Sequence, residues 1–275
     1  MNNVLPKHVG HIAVQAAIAL CGAMLLVTLL SYAMDERMLR GVNIWSKPAK
    51  FAVSFGLHLA TLLWFASLLT REAQQRRLVL FALLGASVAS VVEVFYVALQ
   101  SARGRASHFN FETPFESLMY YGVMGGAALV IVMATFAVGV SVLQNPKPSL
   151  ATGLRMGAGW GAVFGAIATL IVAGALASGR FSGAGPWIGI VRTDSGGLPL
   201  LGWSTSVGDL RVPHFFATHL IQALPLVGWL ADHMASRTRF SPNPRWVVIV
   251  VLMLCLLLVT WLFVQALSGR PLMGH

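Results

Sequence analysis

Apolar residues run along this chain in long blocks broken by short polar links. Seven blocks reach the roughly 20 residues that a helix needs to cross a bilayer. They lie near 10–34, 47–69, 78–100, 114–143, 152–178, 210–235 and 246–267. The pattern predicts an all-α membrane protein, with seven transmembrane helices in a single bundle over residues 1–275. The first block is too long for the apolar core of a signal peptide, and no small-residue cleavage site precedes "MDER", so it reads as a retained helix. One link breaks the rhythm. Residues 179–209 form a long Gly- and Pro-rich loop that carries Trp187, Ile190, Leu200 and Trp203. A loop of that length is usually functional, and its apolar residues suit a lid on the mouth of the bundle.

Three blocks carry polar residues at steps of three and four, which keeps each set on one helix face. The second offers Lys50, Ser54, His58 and Thr61. The third offers Glu93, Tyr96, Gln100 and Arg103. The sixth offers Arg211, His214, Thr218 and Gln222, with His219 at the edge of the arc. All three stripes lie toward the same end of the bundle. An ionisable group at the centre of a membrane helix costs at least ~2.5–3.5 kcal/mol, so such groups face protein or water and usually serve a function. Three stripes satisfy one another best by facing a common buried polar site in the outer half. Glu93 sits roughly 10 Å below the end of its helix at 1.5 Å per residue. It reads as a proton relay or metal ligand, or as a carboxyl that is protonated or paired with Arg103 or Arg211 for packing.

Composition agrees with the pattern. The 275 residues are 57% hydrophobic and 10% charged, against about 25% charged in a soluble domain. This leaves no room for a separate soluble domain. The lipid bilayer is the expected surrounding partner, and no nucleic-acid partner is expected. The chain holds 19 Lys and Arg against 9 Asp and Glu. Compact, almost purely basic links lie around 70–77, 144–155 and 236–245, on the face that also holds Lys7. The positive-inside rule makes that face cytoplasmic, which puts the N-terminus in the cytoplasm and the C-terminus in the periplasm.

Candidate chemistry centres on histidine. His58, His214 and His219 are candidate metal ligands, with His108 contributing from an outer link. A spacing of five does not put His214 and His219 side by side, so they would serve one site from two flanks, or two sites. Neutral imidazole suits haem iron, copper and zinc. Cys21 and Cys255 stand alone in apolar runs, and the absence of Cys-x-x-Cys-His excludes covalent haem attachment. The expected cofactor is haem b or a transition metal (copper, iron or zinc). Glu93, Tyr96 and Gln100 would then form a proton path or support the ligands. Lys50, Arg103, Arg105 and Arg211, with Gln222, are candidate cofactor-binding groups. Three helix starts point the same way: Ser46-Lys47-Pro48, Thr113-Pro114-Phe115-Glu116, and Asp209 with Pro213. Cations and helix N-termini together favour an anion such as a haem propionate. Gly153, Gly157, Gly161 and Gly165 form a small-residue face for close helix packing.

The blocks "IWSKPAKFAVSF", "QSARGRASHFNFETPFES" and "GWSTSVGDLRVPHFFATH" resemble a group of uncharacterised bacterial multi-pass inner-membrane proteins. The resemblance implies a shared fold in the bacterial inner membrane and carries no activity. Ser54-x-x-x-His58, an acid in the third span and two late histidines also resemble the seven-helix zinc hydrolases of the ceramidase kind. Here the acid is Glu93 and the later pair is His-x-x-x-x-His in the sixth span. The leading expectation is an integral membrane metal- or haem-binding protein, redox-active, with a quinone or a partner membrane subunit as its electron partner. A proton-coupled transporter or channel for a small anion or metal is the alternative, and a zinc-dependent membrane hydrolase follows.

Overall fold

The structure is a computed structural model that describes residues 9–181, 185–191, 193–237 and 242–273. Lys7, among the basic residues invoked above, lies outside the described residues. In chain order the helices are α1 (Val9–Met34), α2 (Ser46–Ser67), the short α3 (Arg71–Gln74), α4 (Arg77–Ala102), α5 (Pro114–Leu118), a π-helical turn (Met119–Met124), α6 (Gly125–Gln144), α7 (Thr152–Ala177), α8 (Arg211–Thr218), α9 (Leu220–Arg237) and α10 (Pro244–Leu267). Two-residue strands pair Met38–Leu39 with Val42–Asn43, and Trp187–Ile188 with Gly208–Asp209. Six helices are long and apolar enough to cross a membrane: α1, α2, α4, the continuous α5–α6, α7 and α10. Leu26, Phe81, Val88, Ile171 and Leu257 stand exposed on them. Apolar surface on this scale suits lipid and not water.

The stretch expected as one span at 210–235 differs. It is two helices broken at His219, and neither is among the six. Pro225 lies inside α9 and has no N–H to give the Ile221 carbonyl, which weakens the turn before it. Side chains claim carbonyls just upstream. The Thr218 hydroxyl lies 2.8 Å from His214 O and 2.9 Å from Phe215 O, and His219 Nδ1 lies 2.8 Å from Phe215 O. Such local bonds compete with the helix ladder and bend it.

Helices α1, α2, α4 and α6 pack around a core that includes Leu59, Leu62, Phe65, Leu83 and Val138. Helix α6 then packs along α7, α7 along α9, and α10 covers α7, α8 and α9. The glycine face of α7 makes the second half of the bundle. A Cβ at Gly161 would lie 2.7 Å from Leu220 O, and Cβ atoms at Gly153 and Gly157 would strike Gly228 O and Leu224 O more closely. Backbone therefore meets backbone along this seam. The Asp232 carboxylate of α9 seals it, accepting hydrogen bonds from Gly153 N at 2.8 Å and Leu154 N at 2.7 Å. Two free donors at the start of α7 gain an anionic partner, which the helix dipole favours.

The links sort to two ends. At the lid end, Arg37 donates to Ala102 O at 3.1 Å, Asp194 N to Arg40 O at 2.9 Å and Gly208 N to Gly269 O at 2.8 Å. At the opposite end, Thr70 N donates to Asn145 O at 3.1 Å and Lys147 N to Leu68 O at 2.9 Å. Helices α8 and α9 in succession run from the first end to the second.

Of the three expected caps, Thr113 accepts a hydrogen bond from Glu116 N and donates to its carboxylate, with Pro114 at the first helical position. Asp209 Oδ1 accepts from Arg211 N at 2.9 Å. Ser46 does not cap α2. It is the first helical residue, and Asn43 Oδ1 accepts from Trp45 N at 2.9 Å instead.

Gly157→Ala should destabilise the fold by about 1–3 kcal/mol through overpacking, despite the ~1 kcal/mol that alanine gains over glycine in a helix. Gly126→Ala, which meets nothing within 4 Å, should leave stability unchanged or raise it. Thermal melts of both variants in detergent test the seam.

Candidate functional site

The polar stripe of α2 marks the border between the two halves of the bundle. Its ends are bonded across that border. Lys50 Nζ donates to Leu201 O at 3.2 Å, and Gln222 Nε2 of α9 donates to Thr61 Oγ1 at 3.2 Å. The middle of the stripe is not covered: Ser54 and Leu57 are exposed and His58 is half-buried behind them. Helix α2 does not pack along α8 or α9. Between these two bonds α2 presents Ser54 and Leu57 at the surface.

Hydrogen bonds engage one ring nitrogen of each of two histidines near this face. His58 Nε2 lies 3.0 Å from Thr135 Oγ1, while the Thr135 hydroxyl donates to Ile131 O at 2.8 Å. While the Thr135 hydroxyl gives its proton to Ile131 O, it accepts from His58 Nε2, which places the His58 lone pair on Nδ1. His219 Nδ1 faces the Phe215 carbonyl at 2.8 Å. A carbonyl only accepts, so the His219 lone pair is on Nε2. The ring stacks on Phe215 at 4.0 Å between centroids. His219 lies within electrostatic reach of both His58 and His214. His214 Nδ1 is buried with no hydrogen-bond partner among the described residues, as is Gln222 Oε1.

Toward the lid end lies an aromatic cluster. Phe51 is its hub. Lys47 Nζ sits 5.5 Å above the Phe51 ring, and the His108 ring is 5.5 Å from Phe51 on an edge and 5.7 Å from Tyr120. The π-helical turn delivers Tyr120, which is 5% exposed; such turns often occur at functional sites. His108 Nδ1 pairs with Ser107 Oγ at 3.1 Å. Burial, then the nearby Lys47, Arg40 and His214, hold the His108 imidazole well below the ordinary histidine range, so it is neutral at physiological pH. Phe51 also packs against Tyr96 and Val97 of α4, one turn from Glu93. The Glu93 carboxyl is 3% exposed and within electrostatic reach of Lys47. No hydrogen bond or ion pair reaches it among the described residues, and neither Arg103 nor Arg211 pairs with it.

The rest of the α4 stripe runs elsewhere. Gln100 Nε2 donates to Tyr96 Oη at 2.9 Å, and Arg103 Nη1 donates to Gln100 Oε1 at 2.8 Å. Arg105 Nη1 and Arg103 Nη2 meet Glu116 Oε1 at 2.7 and 3.5 Å. Tyr96, Gln100, Arg103 and Arg105 thus form a chain that ends on the start of α5. Both arginines are occupied by Glu116 and do not join Lys50 in an anion site.

Arg211 is likewise committed. It forms a bidentate pair with Asp209, meets Asp194 Oδ1 at 2.6 Å and donates to Gly202 O at 2.8 Å. Its guanidinium lies 5.5 Å from the Trp187 ring, and that of Arg40 lies 5.7 Å from the same ring. Asp209 is 1% exposed and Trp187 2%. These contacts pin the long loop over the lid end.

Several residues of the site carry no sequence signal. Thr135 sits in an apolar run as a lone hydroxyl, and nothing marks it as the partner of His58. Arg40 and Tyr120 enter through a tight turn and a π-helical turn that periodicity does not predict. Among the described residues, no three His, Cys, Asp or Glu side chains stand together as ready ligands for one metal ion. No family model, curated protein or solved structure matches this chain.

Arg211→Lys should loosen the loop, because an ammonium cannot reproduce the bidentate pair together with the Asp194 and Gly202 contacts. Limited proteolysis should cut within 185–209 faster in that variant, while the helices stay protected.

Proposed function

We propose that this chain is a membrane-embedded redox protein that holds a haem b or a transition metal between His58 and His219. One observation carries the reading. His58 of α2 and His219 at the α8–α9 bend each have one ring nitrogen on a protein oxygen and lie within electrostatic reach of each other, which leaves the second nitrogen of each for a ligand. Metal-ligating histidines have this arrangement, with the second ring nitrogen donating to a carbonyl or hydroxyl. His214, with its unpartnered nitrogen, is the third candidate ligand, and His108 lies farther toward the lid. A haem iron needs only two protein imidazoles, so haem fits the pair better than a zinc ion that takes three or four protein ligands. Bound between them, such a group supplies one-electron chemistry. Lys47 and Lys50, whose ammonium groups have no acidic hydrogen-bond partner, are the cations placed to meet propionates.

In this reading α8 and α9 together make the seventh crossing. The N-terminus is cytoplasmic, the C-terminus periplasmic, and the membrane is the bacterial inner membrane. The basic links at the end opposite the lid support that orientation.

A second reading, proton-coupled transport of a small anion or metal, is favoured by Glu93 alone. A buried carboxyl without a hydrogen-bond partner is a group able to gain and lose a proton.

The absorption spectrum and elemental content of protein purified from cells supplied with haem and metals decide the first reading. A Soret band or a stoichiometric metal is expected. His58→Ala and His219→Ala should lose it while the chain still inserts. Thr135→Val, which releases the His58 tautomer, should weaken retention by about 10–100-fold. Colourless, metal-free wild-type protein would overturn the reading. Transport would then be tested by Glu93→Gln in proteoliposomes, where pH-driven uptake should vanish.

A further inference from the structure

We infer that the long loop is itself a membrane-binding element. Its two most exposed apolar residues, Leu200 and Ile190, are pegs that enter the lipid of the leaflet on the lid side, one beside α2 and one beside α10. The inference stands apart from what His58 and His219 hold.

The loop sorts its apolar residues into two sets. Trp187 and Trp203 are buried against the bundle, whereas Ile190 is 97% and Leu200 91% exposed. The turn that carries Leu200 is not loose. Gly202 N donates to Leu198 O at 2.7 Å and Leu198 N to Trp203 O at 2.8 Å. Lys50 Nζ and Arg211 Nη2 hold the carbonyls of Leu201 and Gly202. Leu200 itself takes a left-handed backbone, with φ at 65°, which glycine adopts freely and a bulky side chain rarely does. The fold therefore bears strain at a residue whose side chain it leaves outside. Strain that no internal packing explains points to a contact beyond the chain.

Depth decides what that contact is. Helix α2 has 22 residues, about 33 Å at 1.5 Å per residue, slightly more than the ~30 Å hydrocarbon core. Its first turn therefore lies at the hydrocarbon edge. Lys50, one turn inside that start, reaches Leu201 O and so sets the Leu200 turn at the same level. Val53 and Leu57 follow Lys50 on one face of α2 and are about half exposed, so the turn caps a stripe that meets lipid. The other tip is fixed in the same way. Ile188 pairs with Gly208, and Gly208 N donates to Gly269 O at 2.8 Å, just past the end of α10. Ile190 follows two residues on, beside a helix end whose Trp261 and Val264 are exposed. Helix α2 packs in the first half of the bundle and α10 in the second, so the loop straps across both and presents an apolar residue at each edge. A partner protein docks on one continuous face. Single residues at two edges, each beside lipid-facing helix surface, suit acyl chains.

Nitroxide labels on Leu200→Cys and Ile190→Cys test this, each in the full chain carrying Cys21→Ala and Cys255→Ala, in phosphatidylcholine nanodiscs. Molecular oxygen concentrates in lipid and a neutral nickel chelate in water, so their collision rates with the label separate three surroundings. At both sites oxygen is expected to collide more often than the chelate. The reverse order at either site places that tip in water and overturns the inference. Low rates for both reagents mean that protein, a partner or a second copy, covers the tip, and overturn it too. Leu200→Gly supplies a second check, because it relieves the backbone and removes no internal contact. Its melting temperature in detergent should be no lower than that of the unaltered chain. A fall of about 5 °C or more would show that the leucine packs within the fold, and would end its role as a peg.

Discussion

A polar group inside a bilayer must find its partner within the protein, because lipid offers none. Every feature of the site follows from how this chain meets that demand, and from where it does not. The α4 stripe meets it above Glu93, through a relay from Tyr96 to Gln100, Arg103 and Glu116. Arg211 meets it with two carboxylates and a carbonyl. The α2 stripe meets it only at its ends. Among the groups left unmet are Glu93, Lys47 and a nitrogen of His214, and also Ser90 Oγ, Trp187 Nε1, Gln222 Oε1 and Gln265 Oε1. Structural polarity and functional polarity separate here by a physical criterion, and helical spacing alone does not distinguish them.

The two halves of the bundle are joined most closely along α7. Along α7, glycine lets the backbones of α8 and α9 approach to contact, and Asp232 fixes the register of α9 against the start of α7. Helix α6 then fastens α7 to the first half. With α9 drawn tightly onto α7, it meets α2 through the Gln222–Thr61 bond and through Ile221 in the shared core. A bundle with side chains in place of those glycines would spread the helices more evenly and lose the asymmetry.

Much of this was legible in the residues. Apolar run length found the six membrane-length helices, and four glycines at steps of four identified the close-packed seam. Thr113, Pro114 and Glu116 spelled out a helix start. Periodicity also placed Lys50, His58 and Thr61 on one face of α2. It did not say which neighbour each residue on a face would meet, because that depends on helix order around the bundle. The occupation of Arg103 and Arg105 by Glu116, and of Arg211 by Asp194, was therefore hidden. So was the break at His219. The stretch is apolar enough in outline, and only Pro225 with the local bonds of Thr218 and His219 explains why it does not run straight through.

Arg211 is both the clasp of the long loop and the first residue of α8, the short helix that carries His214 and ends at His219. That helix is joined to α9 at a bend. Loop and histidines are consequently held by one short strut: Arg211 anchors it to the loop, Ala217 rests on Gly165 of the seam, and where those two contacts fix it decides where His214 and His219 sit.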